Sequence, residues 1–188
     1  PGAIPAGFTL VPSGTWDWNT DGNLESWTVG ANAAFVLDAG TPLGGFVTGI
    51  SATGTGAAGD ATFTSPVTTI ATPYRVIVEF RINKEASDDS RIDLFWDDAA
   101  GGFGGPRVYS VSPATFASDG NYKVVRITFP VDTIKTQLDK LRLDPIAEAA
   151  NVGKTVGIDY LHVYTEALTP LTWDANTGTS GAQGGSGT

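Results

Sequence analysis

Acids that strand geometry could gather sit at both ends of this chain. Val156 to Tyr164 (VGIDYLHVY) reads as the last core strand, with a carboxylate at its centre. Ile158 falls out of phase with Leu161 and Val163 on a two-residue alternation. A bulge at Asp159 or Tyr160 would bring all three to one face and turn the Asp159 carboxylate toward a strand end. Near the other terminus, Trp16 to Trp27 (WDWNTDGNLESW) is aromatic and acidic, and could carry Asp17, Asp21 and Asn23 to the same corner. Asp21-Gly22-Asn23 reads equally as an ordinary turn with solvated acids.

A second constellation joins Phe95, Trp96, Phe103 and Tyr109 with Asp93, Asp97, Asp98 and Arg107. Pyranose rings present apolar faces and hydroxyl edges, so an exposed aromatic platform with polar groups at its rim suits a sugar. The same residues permit a plainer reading. In Arg91 to Trp96 (RIDLFW) one of Phe95 and Trp96 must face the core, and a glycine-rich loop with one Phe often folds it inward.

Catalytic groups are poorly represented, and the chain reads as no enzyme. His162 is the single histidine; a Ser-His-Asp triad would have to use it, and its strand position suits a packed or rim histidine better than a base. Asp88-Asp89 and Asp97-Asp98 are adjacent acids that point apart, whereas glycoside hydrolysis needs two carboxyls facing one bond. Arg142 with Asp144, beside Pro145, reads as a structural ion pair or a hydrogen-bonded corner.

Composition narrows the class. The 188 residues carry 11 Lys plus Arg against 20 Asp plus Glu, a net charge of -9. Such a balance offers no field for nucleic acid or an anionic membrane surface. The absence of cysteine removes disulfides and thiolate metal sites. No apolar run approaches the roughly 18 residues of a spanning helix, so membrane insertion is not expected, and no signal-type leader opens the chain. The 24 glycines, with many Thr and Ala, suit short strands and tight turns.

The elements follow from this. Residues 1–13 are proline-rich and read as an extended arm, with Phe8, Leu10 and Val11 able to dock on a neighbour. Residues 32–38, 45–52 and 61–64 read as short strands. Tyr74 to Ile82 is the clearest strand, with Tyr74, Val76, Val78, Phe80 and Ile82 on one face and Arg75, Glu79 and Arg81 on the other. Residues 91–96, 107–111 and 122–129 follow. Asp132 to Lys140 is the one helical candidate, with Ile134, Leu138 and Leu141 at helical spacing. Leu141 to Ile146 reads as a strand ended by Pro145. The sum is an all-β jelly-roll β-sandwich over residues 14–168. Residues 169–188 form a Gly/Ser/Thr-rich tail, or the start of a β-helical repeat.

The succession Trp18 to Trp27, Leu94-Phe95-Trp96, Asp119-Gly120-Asn121-Tyr122, Leu141 to Pro145 and Ile158-Asp159-Tyr160-Leu161 resembles the carbohydrate-binding-module-like jelly rolls of bacterial secreted proteins. The resemblance implies a galactose-binding-like sandwich. It also implies a structural calcium near the first and last strands, with Asp17, Asp21, Asn23 and Asp159 as oxygen donors. Trp16-Asp17-Trp18 departs from the family, which more often shows a phenylalanine and an acid there. The EF-hand pattern is absent, since no Glu closes the loop. Separately, Leu171 to Asn176 (LTWDAN) and Gly181 to Thr188 (GAQGGSGT) are similar to the autotransporter-associated repeat of bacterial surface proteins. That repeat normally continues into Trp, so the sequence reads as a cut piece or an unusual natural end.

These readings converge on a non-catalytic, extracellular or cell-surface module of a larger bacterial protein. Its partner would be a glycan, bound at Phe95, Trp96, Asp97, Phe103, Arg107 and Tyr109. The alternative is a structural subunit whose partners are copies of itself, joined by strand donation through Phe8, Leu10, Val11 and Trp173.

Overall fold

A computed structural model describes residues 8–20, 23–30, 33–37, 50–54, 60–72, 75–84, 91–98, 102–103, 107–112, 120–131, 133–134, 137–147 and 154–168. Among these residues twelve strands run β1 (Phe8–Trp16), β2 (Thr28–Val29), β3 (Ala33–Leu37), β4 (Ile50–Gly54), β5 (Asp60–Thr64), β6 (Ile70–Ala71), β7 (Val76–Lys84), β8 (Ile92–Asp98), β9 (Val108–Val111), β10 (Lys123–Thr128), β11 (Gln137–Ala147) and β12 (Thr155–Leu168). They form two six-stranded sheets. The first has the order β10-β7-β12-β4-β3 with β1 also on β12; the second has β2-β5-β11-β8-β9 with β6 also on β11. Every pairing is antiparallel, as a jelly-roll sandwich requires. There is no helix among the described residues, and none long and apolar enough to cross a membrane.

β12 is the spine of the first sheet. Residues 155–158 pair with β4 on one side, and residues 161–168 pair with β1 on that same side. Its other side pairs with β7 over residues 156–165, and the register shifts by one residue between Ile158↔Ile82 and Tyr160↔Arg81. The expected bulge is therefore present, and Asp159 is the inserted residue. Ile158, Leu161 and Val163 all reach the core as a result. The Arg81 guanidinium holds the bulge from outside, its Nη1 2.8 Å from Asp159 Oδ2.

The helical expectation over 132–140 is corrected: residues 137–140 open β11. Leu138 and Leu141 do share the buried side, but a register shift against β8 between Leu138 and Lys140 accounts for the spacing. A bulge imitates the three-residue step of a helix. Pro145 does not end its strand either. It lies where the β11–β5 register shifts between Leu143 and Ile146, a place where a missing N–H costs the ladder nothing. Residues 8–13, read as an arm, make up most of β1 and pair with the chain's own β12 from Phe8↔Leu168 onward. Pro12 sits beside the irregularity between Pro12 and Gly14 on this strand.

The sandwich interior is closed at one end by Trp16, Trp18, Trp27 and Phe63. Trp27 stacks on Phe63 at 4.5 Å, and Trp18 meets Trp27 edge-on at 5.6 Å. Seating these rings bends the backbone hard, because Trp18, Glu25 and Ser26 hold φ of 44°, 49° and 66°. Each such L-residue costs about 1 kcal/mol. Glu25 offsets that cost: its carboxylate accepts the Trp18 N–H at 2.9 Å and the Asp17 N–H at 3.2 Å. Trp18 Nε1–H donates to the Leu24 carbonyl at 3.3 Å. Glu25→Ala strips both donors of their acceptor and should lower unfolding stability by about 3 kcal/mol, read from the tryptophan emission in a urea titration. An unchanged midpoint would show the corner to be held by packing alone.

Candidate functional site

The register of the first sheet lines up three rows of side chains on its outer face. Arg126 pairs with Glu79, Glu79 with His162, and His162 with Thr15, so β10, β7, β12 and β1 contribute one row. Val124, Arg81 and Tyr160 form the row on one side. Thr128, Ile77 and Tyr164 form the row on the other. Alternation makes this possible: Val76, Val78, Phe80 and Ile82 of β7 take the core, leaving Glu79 and Arg81 outside. On β12 the inserted Asp159 resets the phase, so Tyr160, His162 and Tyr164 point outward together.

These groups are tied to one another. Arg126 donates through Nε to Glu79 Oε2 at 2.9 Å, with Nη2 2.8 Å from the same oxygen. The Tyr160 hydroxyl donates to Glu79 Oε1 at 3.1 Å. Burial first, and the Glu79 carboxylate second, push the Tyr160 phenol up to about 12. Tyr160 and His162 stack with ring centres 4.4 Å apart. His162 Nε2 lies 2.6 Å from Asp17 Oδ1. A carboxylate only accepts, so Nε2–H donates to Asp17, and Nδ1 lies 3.4 Å from the Tyr164 hydroxyl. Beside this cluster is an open depression of about 430 Å³ lined by Glu79, Val124, Arg126 and Thr128. Val124 is 55% exposed and gives it an apolar floor.

The residues expected at a sugar platform are spread over the second sheet. Trp96 is corrected from platform to core: it is buried and packs edge-on to Phe129 at 4.9 Å. Phe95 faces outward, but the Arg142 guanidinium lies over its ring at 4.0 Å and 5.7 Å from the Phe103 ring. Arg142 is itself forked onto Asp144 at 2.9 and 2.7 Å. One face of the Phe95 ring is thus covered by a tethered cation. Asp97 accepts the Gly102 N–H at 2.6 Å, while Arg107 donates to the Gly102 carbonyl at 2.9 Å and pairs with Asp98 at 3.0 Å. These contacts tie Gly102 and Arg107 to the end of β8. Tyr109 alone of the set is exposed, at the sandwich edge.

The donors expected for calcium turn to different partners. Asp17 meets His162, Asp159 meets Arg81, and the Asn23 Oδ1 accepts the Glu25 N–H at 2.9 Å. Asp21 lies outside the described residues. Among the described residues no three His, Cys, Asp or Glu side chains come together as an ion would need. As they stand, the described donors do not fit a calcium ion. Of the residues expected in assembly, Phe8, Leu10 and Val11 belong to β1, and Val11 is exposed. Trp173 and the repeat-like tail lie outside the described residues.

Sequence reasoning places His162 at a packed or rim position and Glu79 and Arg81 on an outward face. It does not join them to Tyr160, Val124 and Arg126, because only the β10-β7-β12 order does so.

No family model matches the chain, and no curated protein matches it. Solved structures do match its fold. The CBM22-1 xylan-binding domain from Paenibacillus barcinonensis Xyn10C aligns over 90% of this chain and 100% of its own, with TM-score 0.51 and 11% identity. An exo-beta-agarase aligns over 85% of this chain with TM-score 0.57 and 13% identity, and the arabinose-bound MgGH51 α-L-arabinofuranosidase over 78% with TM-score 0.52 and 13% identity. This chain spans 25% and 24% of those two enzyme chains. At such identities the likeness is one of fold: the chain shares the β-sandwich fold of these structures.

Proposed function

We propose that this chain is a non-catalytic carbohydrate-binding module of a larger bacterial secreted or surface protein, and that the glycan lies on the outer face of the first sheet. The observation that carries the reading is the Arg126–Glu79–Tyr160 chain of hydrogen bonds at the rim of a depression floored by Val124. A guanidinium, a carboxylate and a phenol held in fixed positions offer donors and acceptors to sugar hydroxyls, and the exposed valine meets an apolar ring face. The charges are already paired with one another, which favours a neutral glycan over an acidic one. The net charge of -9 acts in the same direction. Among the described lining residues Glu79 is the sole carboxylate, whereas hydrolysis uses a facing pair. That favours holding a glycan over cleaving it.

Two outcomes are expected. On an array of plant, algal and bacterial polysaccharides the chain should retain at least one neutral polymer. Glu79→Gln and Arg126→Ala should each weaken that binding about tenfold by titration calorimetry, the loss of one charged hydrogen bond, while Phe95→Ala leaves it intact. Loss of binding in Phe95→Ala with Glu79→Gln silent would return the site to the second sheet, and silence across the whole array would end the proposal. The second outcome concerns pH. A phenol whose folded pKa stands at about 12 against an ordinary 10.0 contributes stability that is whole below pH 10 and is lost as pH rises to about 12. Tyr160→Phe should flatten the fall in stability over that window; an identical fall in the variant would show that Tyr160 is not its source.

A further inference from the structure

Asp17 reaches the outer face from just past the end of β1. It stands between Trp16 and Trp18, both buried in the aromatic corner. Its N–H donates to Glu25 Oε2 at 3.2 Å, which holds its backbone to that corner. Its carboxylate accepts Nε2–H of His162, 145 residues along the chain, at 2.6 Å. The contact does little for stability by itself: the Asp17 side chain is 46% exposed and that of His162 21%, and ion pairs open to water are worth little. Its effect is geometric. The ring torsion of a histidine is broad and two-fold, and either ring nitrogen can carry the proton. One acceptor at Nε2 removes both freedoms.

We infer that Asp17 is a positioning residue for the outer face: through the His162 imidazole it sets the plane of Tyr160, and with it the carboxylate and guanidinium that a glycan would meet. This rests on the reading given under Proposed function. The imidazole lies against the Tyr160 ring, centres 4.4 Å apart and planes 20° from parallel. Tyr160 gives its hydroxyl to Glu79 Oε1, and Glu79 Oε2 takes Arg126. The phenol is thus fixed at its hydroxyl by Glu79 and on one ring face by His162. Asp17 does not line the depression, so it acts through His162 rather than on the ligand. Binding groups need supporting neighbours that hold them within about 0.5 Å of the productive geometry. Here the support comes from a corner whose indole rings pack edge-on against one another.

Two readouts on the full chain test this. His162 is the single histidine, so long-range proton–nitrogen NMR spectra of histidine-labelled protein, recorded on the alkaline side of its titration, report one imidazole. The parent should hold one tautomer, protonated at Nε2. Asp17→Asn, which keeps a carbonyl oxygen, should retain it, whereas Asp17→Ala should give a mixture. The second readout is calorimetric titration with a neutral oligosaccharide that the chain retains. Asp17→Ala should weaken binding about fivefold, and Asp17→Asn should recover most of that loss. In a His162→Phe background, where a flat ring needs no acceptor, Asp17→Ala should have no further effect. Asp17→Ser, whose hydroxyl is too short to reach His162, should match Asp17→Ala and guards against a folding failure. Parent affinity in Asp17→Ala, with Glu79→Gln weakened, overturns the inference and leaves the outer-face site standing. So does an equal loss with and without His162→Phe, and so does a tautomer unchanged by Asp17→Ala. If no oligosaccharide binds, both fall.

Discussion

One inserted residue in β12 sets the geometry on which the outer face depends. Asp159 adds a position that β7 does not match, and everything after it turns over: without the insertion, Leu161 and Val163 would face solvent while Tyr160, His162 and Tyr164 entered the core. The same point divides the strand's other side between β4 and β1. A bulge leaves a backbone kink that needs holding, and the 2.8 Å pair between Arg81 and Asp159 does so across the strands that carry the candidate site. Structure and site therefore share a residue.

Asp17 and Asp159, two of the carboxylates expected at a cation, each have a separate local task, as do Glu25 and Glu79. Asp159 steadies the bulge, Glu25 satisfies a backbone strained by three left-handed residues, and Asp17, just past the end of β1, holds the His162 imidazole. Glu79 gathers Arg126 and Tyr160. All but the exposed Arg126–Glu79 pair are part-buried, where a charge-assisted hydrogen bond is worth more than at full exposure and an unpaired charge would be costly. The result is an outer face rich in ionisable groups that are paired with one another, which suits a hydroxyl-bearing ligand.

Much of the fold is legible in the sequence because alternation is a strong signal. β7 can be read residue by residue, and the out-of-phase Ile158 discloses the bulge in β12 by pattern alone. The same device is masked in β11, where Leu138 and Leu141 show the same three-residue step but, with Ile134, also fit helical spacing. Periodicity alone does not separate a bulged strand from a helical turn. Phe95 and Trp96 must point opposite ways, but which one enters the core depends on Phe129 lying opposite. The outer-face cluster is hidden for a different reason: Tyr160, Glu79 and Arg126 are brought together by strand order, a non-local property that no window along the sequence contains.

The most direct measurement is an amide-resolved NMR titration of the full chain with a neutral oligosaccharide that it retains. Shifts should gather on Val124, Arg126, Glu79, Arg81, Tyr160 and His162, spreading over β10, β7 and β12. Shifts confined to Phe95, Phe103 and Arg142, on the opposite sheet, would contradict the account.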